Sequence, residues 1–259
     1  MTGSGGAPRA VIVSPHLDDA VLSCGGLLAE VTGHVITVFC GVPPAGTTAP
    51  MWDLLTGATD PVRRMHERLA EDDCALAVLG TTTERLGLLD GQYRSGPVAH
   101  GELVARLRPL LAGATEVHVP AAIGSHPDHV ATREAALAAA DAAADVLLYA
   151  DLPYALSFGW PSWVDGRRPE PLLDPGQWLA GELAGAGVDL ATLTAVPRAL
   201  TEAATARKRA AVAAYASQLP ALDALAGGRL TEDHASRFEL AWRVARGPAA
   251  TAPASHVCG

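Results

Sequence analysis

The stretch Ala10-Val-Ile-Val-Ser-Pro-His-Leu-Asp-Asp-Ala20 decides the fold. Residues 10 to 14 are an apolar, β-branched run behind a polar tail, the signature of a buried strand. The next element reads as a helix. Asp18 or Asp19 can start it, because a carboxylate at a helix N-terminus meets unpaired backbone N–H groups. Val21, Leu22, Leu27, Leu28 and Val31 supply its apolar positions. Gly25 and Gly26 weaken a helix by propensity, so their presence points to close backbone packing.

The strand-to-helix change then repeats. His34 to Cys40 reads as a second buried strand, and Gly41 to Asp60 as a Pro/Gly/Thr-rich loop of the long kind that is usually functional or disordered. Pro61 to Leu79 reads as a helix stopped by Gly80, and Glu84 to Leu89 as a short strand ending near Asp90-Gly91. Glu102 to Arg108 reads as a helix ending near Pro109, and Glu116 to Pro120 as a strand. A second polar motif, Ser125-His-Pro-Asp-His129, follows directly and opens an alanine-rich helix from Asp128 to Ala143, with a strand at Val146 to Ala150. This alternation predicts an α/β domain with a mostly parallel sheet covered on both faces. Ligands gather at the carboxyl ends of such strands, where both polar motifs fall.

Asp151 to Pro197 reads as an insertion rich in Pro, Gly and Trp. Its Tyr154 and Trp160 are candidate substrate contacts, because flat aromatic faces pack on sugar rings or acyl chains. Anchoring a long loop to the body would account for the same aromatics. Glu202 to Ser217 and Glu232 to Arg246 read as two closing helices. The expected organisation is one domain over residues 1–246 and a loose tail over residues 247–259.

At 259 residues the chain is long enough for one domain with an ample core. The net charge of -9 and the lack of a clustered basic face argue against nucleic-acid binding. The apolar runs are far too short for a membrane span, and the N-terminal residues lack the pattern of a secretory signal, so a cytoplasmic location is expected. Cys24, Cys40, Cys74 and Cys258 show no CxxC spacing and read as reduced filler.

Together the two motifs read as one divalent-metal site. His16 and Asp19 are the natural ligands of the first motif, and His129 would be the third. Two imidazoles and one carboxylate are a common catalytic zinc set that leaves a position for water. Asp18 is then free to act as general base on that water. Pro127 suits the first turn of a helix, so His126 and His129 fall on neighbouring positions and can point into one cavity. There His126 can stabilise an oxyanion, and Asp128 can orient a histidine. The same donors suit ferrous iron or another divalent metal.

These residues resemble the LmbE-like, or PIG-L, family of zinc-dependent N-deacetylases. The resemblance rests on Pro15-His-Leu-Asp-Asp19 followed by Gly25-Gly26, and on His126-Pro-Asp-His129. Arg68-x-x-Glu71 ending in Leu79-Gly80, the Asp90-Gly91 pair, and Lys208 to Gln218 with its Ser-Gln ending extend it. It implies a Rossmann-like three-layer sandwich, zinc on His16, Asp19 and His129, Asp18 as base, and His126 as the transition-state-stabilising histidine. It also implies Arg68 and Asp90 as substrate contacts, although Arg68 and Glu71 could equally form a surface ion pair at i,i+3. The family form His-Pro-Asp-Asp-Glu is altered here at Leu17 and Ala20. Gly124 stands where some members have a tyrosine, and Tyr215 where many have a histidine. Such departures mark a divergent subgroup.

The expected activity is hydrolysis of an N-acetyl group on a small-molecule amino sugar or glycoside, with homo-oligomerisation left open. Rival readings are a deacylase for a longer N-acyl chain or another amide, and a noncatalytic carbohydrate- or nucleotide-binding protein on the same fold. A dinucleotide-dependent oxidoreductase is disfavoured, since no GxGxxG follows the first strand.

Overall fold

The first quoted stretch forms β1 (Ala10–Ser14), a turn, and α1 (Asp19–Glu30). The strand is buried along its length, as its unbroken apolar run requires. In this computed structural model, which describes residues 10–169 and 171–245, the chain continues through β2 (Gly33–Phe39), α2 (Met51–Leu55), α3 (Pro61–Leu79) and β3 (Thr82–Leu88). It then passes through α4 (His100–Leu111), β4 (Glu116–Pro120), α5 (Pro127–Ala139) and β5 (Asp145–Tyr149). The last third carries α6 (Ser162–Asp165), α7 (Pro175–Gly185), β6 (Leu193–Ala199), α8 (Glu202–Val212), α9 (Leu219–Leu225) and β7 (Phe238–Val244).

The strands form one seven-stranded sheet in the order β3-β2-β1-β4-β5-β7-β6. The first five are parallel, with β1 paired to β2 from Ala10↔Gly33 to Ser14↔Thr37. The chain steps outward from β1 to β3 and then returns to β4 on the other side of β1. Right-handed crossovers therefore put α1 and α3 on one face, where α8 joins them, and α4 and α5 on the other. The reversal between β1 and β4 opens a crevice beyond their carboxyl ends, the usual ligand position in such sheets.

Three expectations change. α4 runs through Pro109, because Leu103, Leu107 and Leu111 form a fully buried stripe across it whose burial outweighs one lost helix bond near the end. The second closing helix is instead strand β7. There Leu240 and Trp242 alternate inward, and the free edge of β5 offers ladder partners from Leu147↔Arg243 to Tyr149↔Ala241. The insertion ends as the antiparallel edge strand β6, a place that tolerates Pro197. The expected tail over residues 247–259 lies outside the described residues.

The glycine pair of α1 does mark close packing. A Cβ on Gly26 would stand 2.4 Å from the Leu200 side chain, and one on Gly25 3.0 Å from Cγ of Lys208. The Gly26 and Leu27 N–H groups donate to Glu239, whose carboxylate also accepts from Lys208 Nζ at 2.8 Å. A buried ion pair thus locks α1, α8 and β7 together. No helix among the described residues is long and apolar enough to cross a membrane.

Candidate active site

The turn after β1 is tied by Ser14, whose Oγ donates to the His16 carbonyl at 2.6 Å and accepts from the Ala20 N–H at 3.0 Å. This presents His16, Asp18 and Asp19 at the crevice. From the other side, the loop after β4 carries Ala122, Gly124 and Ser125 at φ of 65°, 84° and 54°. Two non-glycine residues in the left-handed region cost about 1 kcal/mol each. That strain aims His126 and His129, at the start of α5, back toward His16. At Gly124 a Cβ would lie 2.7 Å from the Tyr154 ring, so this tyrosine occupies the space a side chain there would need.

His16, Asp19 and His129 converge on one point. Oδ2 of Asp19 lies 3.2 Å from His16 Nδ1 and 3.4 Å from His129 Nε2. Ligands bonded to zinc at about 2.1 Å in a tetrahedron stand about 3.4 Å apart, so these separations fit the edges of such a polyhedron. The ring nitrogens facing away are each held by a carboxylate. His16 Nε2 lies 3.3 Å from Asp128, and His129 Nδ1 2.7 Å from Asp151, both acids being buried. Carboxylates in this position fix the tautomer and direction of metal-binding histidines.

His16, His126 and Asp128 also lie close enough to share a cation. Their donors are already engaged. Asp128 forms an ion pair with Arg94 and accepts the Gly91 N–H at 2.8 Å, while His126 Nδ1 accepts the Asp128 N–H at 3.3 Å. The set on Asp19 is therefore the better metal site.

Charge tells the same way. Five buried carboxylates, Asp18, Asp19, Asp90, Asp128 and Asp151, stand against the guanidinium groups of Arg68 and Arg94. Burial alone would depress His16 and His129, yet Asp90, Asp128 and Asp19 around the first, and Asp19 and Asp151 around the second, raise both. The pocket calls for positive charge, which a divalent cation supplies. Burial lowers the pKa of His126, with help from the two neighbouring imidazoles, and so favours its neutral form. Because its Nδ1 accepts a hydrogen bond, its proton sits on Nε2.

A cleft of about 460 Å³ covers these groups and is lined also by Trp52, Leu55, Arg68, Asp90, Gln92, Pro153, Tyr154, Leu222 and Leu225. Its size is that of a small-molecule site. Arg68 turns away from Glu71, which accepts instead from the Ser217 N–H and Oγ. The Arg68 guanidinium lies 3.8 Å from Asp18 and 3.5 Å from Asp90, and its buried Nε has no hydrogen-bond partner. Tyr154 meets His129 edge to face at 5.9 Å. Trp160 is a correction: it is buried in the core, donates its indole N–H to the Ala235 carbonyl, and does not line the cleft.

Sequence reasoning missed Asp151, taken only as the first residue of the insertion. The signal was its place just past β5. It also missed Arg94, which stacks on Phe39 at 4.6 Å and holds Asp128. A lone arginine in a loop carries no such signal. Trp52 and Leu55 sit on α2, a short helix within the stretch read as a long loop of the kind that is usually functional or disordered.

Residues 11–140 match the family model described as PIG-L, GlcNAc-PI de-N-acetylase. A curated relative, 2'-N-acetylparomamine deacetylase of Streptomyces fradiae, is 32% identical over 173 residues, which are 57% of this chain and 58% of the relative. Among solved structures, the zinc-inhibited form of teicoplanin deacetylase Orf2 superposes with a TM-score of 0.70 at 25% identity, over 93% of this chain and 100% of that one. The A40926 pseudoaglycone deacetylase Dbv21 does so with a TM-score of 0.67 at 30% identity, over 95% and 100%.

Proposed function

The chain belongs to the PIG-L de-N-acetylase family, and from that premise we propose that it is a zinc-dependent N-deacetylase acting on an N-acetylated amino sugar or its glycoside. The carrying observation is the convergence of His16, Asp19 and His129 on one carboxylate oxygen while Asp18, beside Arg68, is left over. The activities named for the relatives, deacetylation of 2'-N-acetylparomamine, of teicoplanin and of the A40926 pseudoaglycone, support this reading.

In this reading His16, Asp19 and His129 hold the metal. A divalent metal held there would supply a water of pKa about 7 and polarisation of an amide carbonyl. Asp18 takes the proton of the attacking water and later returns it to the leaving amine. His126 donates from Nε2 to the oxygen that gains negative charge. Arg68 and Asp90 bind sugar hydroxyls, and Tyr154 closes one wall. Asp128 and Asp151 keep the two metal-binding imidazoles in register, and Arg94 keeps Asp128 in place.

The test is acetate release from a panel of N-acetylated amino sugars and glycosides by the zinc-loaded protein and by Asp18→Asn. Release by the wild type with kcat reduced roughly 10²–10⁴-fold in the variant is expected. No release from any member, or equal rates in the two proteins, would contradict the proposal.

A further inference from the structure

We infer that the mouth of the cleft is a built site for an apolar aglycone attached to the amino sugar, carried by Trp52, Leu55, Leu222 and Leu225; this rests on the amino-sugar reading above. The cleft changes character with depth. Its charged floor is nearly buried: His16, Asp18, Asp19, Arg68, Asp90 and His129 are all at most 8% exposed, while His126 and Tyr154 are half-buried. Its outer lining is uncharged, and Leu55 and Leu225 are 66% and 53% exposed.

Large apolar side chains left in water on a mobile loop would mean little, but α2 is fixed. Trp52 Nε1 donates to Gln218 Oε1 at 2.7 Å, the Tyr93 hydroxyl reaches both oxygens of the fully buried Asp53 at 2.9 and 2.8 Å, and Arg64 donates to the Thr56 carbonyl at 2.7 Å. Three polar anchors hold a five-residue helix that nevertheless exposes Met51, Leu54 and Leu55. The Trp52 bond also ties α2 to Gln218, the residue that precedes α9, so that Leu222 and Leu225 line the same mouth. An apolar surface built this way and continuous with a pocket marks a binding face.

The occupant follows from which wall the lip adjoins. Tyr93, through Asp53, joins α2 to the turn that carries Asp90 and Gln92, the polar wall placed to hold sugar hydroxyls. With the amide at the floor and the sugar against that wall, the next group outward is the substituent at the glycosidic position. An acyl chain would instead start at the floor.

The measurement is calorimetric affinity of the zinc-loaded wild type and of Leu55→Ser/Leu225→Ser for glucosamine and for phenyl β-glucosaminide. These are deacetylated products and are not turned over, and the substituted leucines are exposed enough to leave folding intact. The phenyl glycoside is expected to bind the wild type about tenfold more tightly than glucosamine, and the double variant to lose most of that advantage. Equal affinities in the wild type, an advantage kept in the variant, or no binding of the phenyl glycoside would overturn the inference. So would a gain from lengthening the N-acyl group with none from the phenyl ring. Acetate release, measured separately, tells failure of the lip from failure of the deacetylase reading.

Discussion

His129 Nδ1 stands 2.7 Å from a carboxylate oxygen of Asp151, whose other oxygen accepts the Ile123 N–H at 3.0 Å. One buried acid therefore sets the direction of an imidazole in the candidate metal cluster and joins it to the loop that delivers it. Asp151→Asn keeps the shape and removes the charge. Zinc affinity, read by chelator competition, is expected to fall about 10–100-fold with an unchanged circular dichroism spectrum. Unaltered affinity would remove Asp151 from the account.

Gly124 answers for the Tyr154 wall. Gly124→Ala must place a Cβ 2.7 Å from the ring at a φ of 84°. A loss of about 1–3 kcal/mol in denaturant unfolding and a raised KM are expected, as the tyrosine is pushed from its place. A variant matching the wild type in both would contradict this.

Lys208 and Glu239 are each nearly buried and 2.8 Å apart. Lys208→Met strands the carboxylate and is expected to cost about 3–5 kcal/mol in urea unfolding. Adding Glu239→Gln is expected to recover part of that loss, because the amide oxygen still accepts the N–H groups of α1 without carrying charge.

Asp72 predicts a pH effect away from the His16, Asp19 and His129 cluster. Burial pushes its carboxyl up to about 6, although Arg85 and the Tyr215 hydroxyl partly hold it down. A carboxyl raised in the folded state favours folding while protonated, so its contribution is full below the unfolded pKa of about 4 and is lost as pH rises through about 6. Relative to Asp72→Asn, the wild type is expected to gain roughly 1 kcal/mol between pH 7 and pH 5. A constant difference across that range would refute the assignment.

The parallel half of the sheet and the clustering of His16, Asp19 and His129 were legible because each signal is local. Ala10 to Val13 is an unbroken buried run, and His16, Asp19 and His129 sit in short motifs beside strand ends. What escaped depends on distant partners. The segment 238–244 is a strand because it pairs with β5 on one side and β6 on the other, and its apolar spacing suits a helix equally well. Trp160 is an aromatic in a polar loop whether it faces a sugar or the Ala235 carbonyl. Arg94 reaches the site through Asp128, 34 residues away.

The most direct test of the central claim is metal content by elemental analysis together with acetate release, on one preparation each of wild type and His129→Ala after zinc loading and removal of excess. The account predicts about one zinc per wild-type chain and acetate release from an N-acetylated amino sugar, both lost in the variant. Wild-type protein that retains no zinc, or a variant that keeps both metal and activity, would contradict it.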